Sequence, residues 1–334
     1  MSLTDPNAPV LALSIGDPDG IGPEIAFKSW QALRHSNLRF CAFCDPELIE
    51  PLAHALKLPF QVINEIDEAR SAFADALPVM SLPIAPSRAA AAIASIQAAT
   101  EACLRGDAAA IVTCPISKAR LWDVGFKFPG HTEFIADLTA HAPFSGPRGP
   151  VMMLSGGGLR TTLATIHTSL RNAISSLSTD QIIAVGRVTA DALKRDFAIP
   201  EPRLAVAGLN PHAGEGGTMG TEDLEIIKPA VEALRAEGIN AFGPLPADTM
   251  FHAEARQAYD AALCMYHDQG LIPVKTLDFH GGVNTTLGLP VIRTSPDHGT
   301  AFDIAGQGIA RADSLIAALE LANTLVANRA AHTS

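Results

Sequence analysis

The chain is poor in aromatic residues: they make up 5% of 334 residues, with two tryptophans and two tyrosines. Packing therefore falls to aliphatic side chains, as in parallel sheets covered by helices. Basic residues are scarce too. Lys and Arg number 24 against 35 Asp and Glu, and the net charge of −11 argues against a nucleic-acid partner while leaving room for a local basic pocket. No uncharged run approaches the ~20 residues of a membrane span, so no membrane partner is expected. The opening MSLTDPNAP has neither a basic stretch nor an apolar core, so a secretory signal is not expected and a cytoplasmic location is. Five scattered cysteines do not make a disulfide framework. Cys41 and Cys44 form a C-x-x-C inside the apolar run RFCAFCD, with no second pair to complete a zinc site, so buried thiols are expected.

Hydrophobic residues reach 48%, enough for one large or two medium domains. Strand-like and helix-like segments alternate. PVLALSIG (9–16) reads as a buried strand and PEIAFKSWQAL (23–33) as a helix with Pro in its first turn. Strand-like runs recur at 38–44, 108–116, 203–210 and 259–267, and helical patterns at 46–57, 88–106, 131–141, 180–195, 222–238 and 312–328. Residues 151–167 differ: two β-rich runs flank Gly156, Gly157 and Gly158, which predicts an antiparallel hairpin. The pattern is α/β with a mixed sheet. Two interwoven lobes are expected, split approximately as 10–145 with 300–330 and 146–299.

Three histidines each follow an apolar strand-like run: His167 in TTLATIH, His212 in LAVAGLNPH and His267 in ALCMYH. Strand ends are where α/β proteins gather their chemistry, and three such imidazoles could share one divalent metal. A lone loop histidine more often serves the surface; three in equivalent positions bring the two readings level. GLNPHAGEGGTMG (208–220) is too glycine-rich for a regular element and reads as a functional loop. MYHDQGLIPVK (265–275) sets His267, Asp268 and Lys275 around a turn, with Asp268 placed to orient an imidazole. Lys275, Asn284 and Arg293 suit an anionic substrate. GHTE (130–133) opens a helix, where backbone amides, His131 and Thr132 could hold a phosphate; equally, Thr132 could cap that helix.

GDPDGIGPE, TCPISK, FPGHTE, GLNPHAGEGG, PADTMF, MYHDQG, GVNTTLGLP and RTSPDHGTAFDIAG occur in the order seen in the 4-hydroxythreonine-4-phosphate dehydrogenases, and the chain resembles that family from about Leu11 to the last helix. The departures are Asp19 in the first loop and His280 with Gly281 before the V-N motif. The resemblance implies a metal held by His167, His212 and His267 across a homodimer interface. It implies substrate contacts from His131, Thr132, Lys275, Asn284 and Arg293. DHGTAFDIAGQGIA (297–310) is similar to the adenosine-binding loop of isopropylmalate and isocitrate dehydrogenases. That likeness implies a fold of their two-lobed class with the active-site cleft between lobes. It also implies nucleotide contacts from His298, Gly299, Thr300 and Ala301, with Asp303 facing the ribose. A carboxylate there favours NAD over NADP.

The activity so implied is NAD-dependent and metal-dependent oxidation of the C3 hydroxyl of 4-phosphooxy-L-threonine. The β-keto acid product decarboxylates to 3-amino-2-oxopropyl phosphate on the way to pyridoxal phosphate. Imidazole ligands suit zinc or cobalt better than magnesium. Lys275 and Asp248 are candidate proton acceptors, although Asp248 could instead cap a following helix. Two rivals stand beside this reading: a dehydrogenase of threonate or erythronate 4-phosphate, and a metal-dependent phosphohydrolase. A hydrolase has no need of the DHGTAFDIAG loop.

Overall fold

The computed structural model describes residues 8–333. Twelve strands run as β1 (Val10–Ser14), β2 (Arg39–Cys44), β3 (Phe60–Ile63), β4 (Leu77–Ser81), β5 (Ala110–Thr113), β6 (Val151–Gly156), β7 (Leu159–Leu163), β8 (Arg203–Ala207), β9 (Asn240–Leu245), β10 (Ala261–Cys264), β11 (Val283–Leu287) and β12 (Arg293–Pro296). The chain divides into two compact units. Unit 1 takes the chain up to Pro143 and then Leu289–Ala327; unit 2 takes Phe144–Gly288 and the chain from Asn328. Residues 289–299, grouped above with the second lobe, thus lie in unit 1.

In unit 1 the strand order is β3-β4-β2-β1-β5-β12, parallel throughout. Every residue of β1, β2 and β5 is buried, which is why these strands read as unbroken apolar runs rather than as alternation. The helix Arg88–Arg105 lies on this sheet. Ala89, Ala92, Ile96, Ala99 and Ala102 recur every three or four residues along its buried face, and the small side chains allow close approach. Ser87 caps its start by accepting from Ala90 N, and Gly106 ends it at φ +82°. Ser95 pins the helix to the sheet, donating to the Phe43 carbonyl at 2.6 Å and accepting from Ile15 N at 3.3 Å. Cys41 and Cys44 are buried, and burial pushes both thiols up, as expected of inert core cysteines.

In unit 2 the order is β11-β6-β7-β10-β8-β9. β6 and β7 form the expected antiparallel hairpin, and β11 joins β6 antiparallel. β7, β10, β8 and β9 are parallel. The predicted helix at 222–238 begins as a π-helical turn, Asp223–Ile227, and becomes α-helical over Lys228–Ala236. Pro229 supplies the reason: it has no N–H for the preceding turn, and its ring crowds the carbonyl four residues back. Residues 267–275, read as a turn, are helical instead: His267–Leu277 is an α-helix with Pro273 inside it. Gly270 and Pro273 hide it in the sequence, because both are weak helix formers.

Trp30 is fully buried in unit 1 and donates through Nε1 to the Phe73 carbonyl at 2.7 Å. Trp30→Phe removes that donor. Stability to urea should fall by about 1–3 kcal/mol, because a buried acceptor is left bare; an unchanged unfolding midpoint would show that the bond contributes nothing.

Candidate functional site

β1, β5 and β12 are parallel neighbours, so the segments after their carboxyl ends gather at one edge of unit 1. Arg293 opens β12 and is 2% exposed; its guanidinium donates to Thr113 Oγ1, at the end of β5, at 2.8 Å. His131 and Thr132 open the helix His131–Leu138. Gly130 occupies the cap position and no side chain bonds there, so Thr132 is not the cap; it is buried. The Nε2 atom of His131 is buried without a hydrogen-bond partner. Burial, then the positive charges of Arg293 and Lys118, hold this imidazole well below its ordinary pKa. Burial also lowers Arg293, to about 10, against the pull of Glu133. A neutral ring held between two cations, with a ring nitrogen unsatisfied, is a place for an anion.

The loop after β12 carries the residues assigned to the nucleotide. It is tied to the first loop of the chain at several points. Ile21 N donates to the Thr300 carbonyl at 2.9 Å. A Cβ at Gly20 would lie 3.0 Å from that same oxygen, so the close approach favours glycine there. Arg120 bonds Asp19 at 2.7 Å and Asp17 at 3.3 Å, and lies 4.3 Å over the Phe302 ring. Burial raises the Asp17 carboxyl, partly offset by its bond from Asp19 N. Glu24 is fully buried and accepts from Ala310 N at 2.8 Å and Gly308 N at 3.2 Å. Lys28 bonds Glu24 at 2.8 Å and donates to the carbonyls of Gly308 and Ala310. His298 Nδ1 lies 3.1 Å from the Gly299 carbonyl. Ala301 holds φ +42°, a strained setting for a residue with a Cβ, and the Asp303 side chain is exposed.

In unit 2, β7, β10 and β8 are parallel neighbours, and His167, His267 and His212 follow their carboxyl ends in that order. His167 and His267 have ring centroids 5.7 Å apart and border a cavity of about 350 Å³ with Ile166, Ser169, Tyr266 and Asp268. His267 Nδ1 lies 2.7 Å from Asp268 Oδ1, the orienting contact expected for a ligand imidazole. His212 is exposed on a loop with unusual backbone: His212, Ala213, Gly214, Glu215 and Gly216 all have positive φ. The fully buried Asp223 anchors this loop by accepting from Leu209 N, Asn210 N and Asn210 Nδ2. Among the described residues no group of three or more His, Cys, Asp or Glu could by itself hold a metal ion. One chain therefore brings His167 and His267 together without His212. Asn284, on β11, has a buried Oδ1 with no partner. Lys275 lies in the last turn of His267–Leu277, its Nζ 5.9 Å from the Phe279 ring centroid. Asp248 is exposed in a turn, and no α-helix follows it directly, so it caps none.

The sequence profile described as pyridoxal phosphate biosynthetic protein PdxA matches residues 36–322. The chain belongs to this family. It is a dehydrogenase, of the isocitrate/isopropylmalate dehydrogenase-like fold class. The 4-hydroxythreonine-4-phosphate dehydrogenase of Caulobacter vibrioides is 56% identical over 96% of this chain and 98% of that one. The Maricaulis maris enzyme of the same name is 52% identical over 96% and 98%. The solved Klebsiella pneumoniae 4-hydroxythreonine-4-phosphate dehydrogenase superposes with TM-score 0.84 at 37% identity, covering 96% of this chain and 98% of that one. A terephthalate 1,2-cis-dihydrodiol dehydrogenase from Burkholderia xenovorans gives 0.64 at 30%, covering 95% and 98%. The sequence reading missed Lys118, Thr113, Glu24, Lys28 and Asp223. Lys118 had a signal, as a lysine just past a buried strand in TCPISK; Asp223 sits in an acidic helical run that marks nothing.

His131 should be neutral at pH 6.5, where an ordinary histidine is half protonated. Its depressed pKa means the unfolded chain binds the extra proton first. It therefore contributes stability above the ordinary value that is lost as pH falls below it. Ring chemical shifts followed from pH 8 to 5 should show His131 titrating well below 6.5; a midpoint at or above 6.5 would contradict the arrangement. Asp223→Ala should speed hydrogen exchange at the Leu209 and Asn210 amides, leaving β10 amides protected; unchanged exchange would remove Asp223 as the anchor of the His212 loop.

Proposed function

We propose that the enzyme oxidises the C3 hydroxyl of 4-phosphooxy-L-threonine with NAD and that the product decarboxylates to 3-amino-2-oxopropyl phosphate, in pyridoxal phosphate formation. The observation that carries the reading is the buried, unpartnered Nε2 of His131 beside the buried Arg293, a group suited to a phosphate. Asn284, in the other unit, has a buried unpartnered Oδ1 of its own. Relatives of high identity carry the corresponding substrate in their names.

In this reading Arg293, Thr132 and His131 fix the phosphate, and Asn284 and Lys275 orient the rest of the molecule, so that C3 is presented in one pose. Lys275 and Asp248 are the two candidates to take the hydroxyl proton. Bound NAD would supply the hydride acceptor, taking the C3 hydrogen with its electron pair so that C3 is left as a carbonyl. Loss of carbon dioxide from the β-keto acid leaves an electron pair on C2, which a proton then quenches. The residues fit a divalent metal in kind but not in number within one chain: His167 and His267 supply two imidazoles, and the third comes from a second copy in a homodimer. Such an ion, zinc or cobalt by ligand preference, would be held by these imidazoles and would supply Lewis-acid polarisation when bound. The loop 298–303, whose continuation at Gly308 and Ala310 is fastened by Glu24 and Lys28, holds the adenosine end of the cofactor. The exposed Asp303 carboxylate favours a 2′-hydroxyl over a 2′-phosphate. The reaction suits the cytoplasm, where NAD and phosphorylated intermediates are found.

Membership of a dehydrogenase family removes the phosphohydrolase reading. The threonate and erythronate 4-phosphate rival is decided by assay. NADH formation should be at least tenfold more efficient with 4-phosphooxy-threonine than with either sugar-acid phosphate, and NAD should outperform NADP. A preference for a sugar-acid phosphate would overturn the substrate, and a preference for NADP the role of Asp303. Arg293→Ala should raise KM for the phosphorylated substrate by about tenfold to a hundredfold, the loss of one charge-assisted contact; an unchanged KM would remove Arg293 from the phosphate.

A further inference from the structure

We propose that Lys118 is a further ligand of the substrate's phosphate, acting beside His131 and Arg293; the inference rests on the function proposed above. Lys118 begins the helix Lys118–Asp123, five residues past the end of β5. It lies over the entrance of the helix that carries His131. A Cβ built on Gly130 would be 3.5 Å from Lys118 Cε and 3.9 Å from Lys118 Nζ. The same point is 3.7 Å from Glu133 Oε2. The Lys118 side chain is half-buried, and among the described residues it forms no hydrogen bond or ion pair.

A lysine on a protein surface is ordinarily solvated and faces no cost. Lys118 stands differently. Its charge reaches the buried His131 ring, on which Arg293 also acts, and Glu133 is the acid that acts on Arg293. Two cations gathered around one neutral imidazole repel each other, and the repulsion is relieved when an anion occupies the space. A phosphate monoester near neutral pH carries close to two negative charges and several acceptor oxygens. Arg293 satisfies part of that charge through its rigid fork, and the ammonium of Lys118 supplies a mobile point charge for the remainder. His131 adds one directed hydrogen bond.

The test uses the full-length protein and two variants, K118Q and K118R. Steady-state kinetics gives KM for 4-phosphooxy-threonine, and calorimetry gives the affinity for inorganic phosphate and for NAD. K118Q should raise KM and weaken phosphate binding by about tenfold to a hundredfold, leaving NAD affinity unchanged, and K118R should recover most of the loss. Equal phosphate affinity in wild type and K118Q would overturn the assignment. So would equal impairment of K118Q and K118R, which would mean a structural role. Should the wild type fail to oxidise the phosphorylated substrate, the proposed function falls. Calorimetry still decides the lysine: phosphate binding lost in K118Q and retained in K118R upholds it, and any other pattern refutes it.

Discussion

Parallel strand pairing is the constraint on which the rest of this molecule depends. A parallel neighbour can be reached only by a crossover, so consecutive strands deliver their carboxyl ends to the same edge of the sheet. In unit 1 this places the segments after β1, β5 and β12 side by side; in unit 2 it does the same for β7, β10 and β8. Residues far apart in the chain, such as Thr113 and Arg293, meet because their strands do. The central strands β1, β2 and β5 are buried on both faces, so their sequences are occupied with packing, and the polar chemistry is left to the loops.

Those loops are held by buried carboxylates. Glu24 receives the backbone of the loop after β12, at Gly308 and Ala310, and Asp223 receives that of the His212 loop. A buried acid is costly unless its hydrogen bonds are made. Each carboxylate therefore specifies one loop geometry and tolerates few others. The anchoring matters most at 212–216, where His212, Ala213 and Glu215 adopt left-handed conformations despite having a Cβ. Each such residue costs on the order of 1–2 kcal/mol, and the network around Asp223 holds the loop against that cost. Strain of this kind persists only where the surroundings over-determine it, as the bonds to Asp223 do here.

Much of this was legible in the chain. Apolar runs without alternation marked β1, β2 and β5, and the Gly156–Gly158 cluster marked the hairpin of β6 and β7. The three histidines were recognisable because each follows such a run. Other features were hidden for physical reasons. The strand β3 is short and mostly exposed and β9 is mostly half-buried, so their sequences lack the buried-strand pattern. The helix at His267 contains Gly270 and Pro273, both helix-weakening, and packing overrides their propensity. The role of Glu24 depends on Gly308 and Ala310, and no local pattern links residues nearly three hundred positions apart. Lys118 was visible as part of TCPISK, yet only the fold sets it over Gly130.

The electrostatics of unit 1 follow from the same geometry. Arg293 is buried, His131 is kept neutral, and one of its ring nitrogens is unsatisfied. The central claim is that this arrangement exists to receive the phosphate of a small substrate. A crystal structure with 4-phosphooxy-threonine and NAD bound tests it most directly. The account predicts phosphate oxygens within hydrogen-bonding distance of His131 Nε2 and the Arg293 guanidinium. A substrate bound elsewhere, with His131 Nε2 still unpartnered, would contradict it.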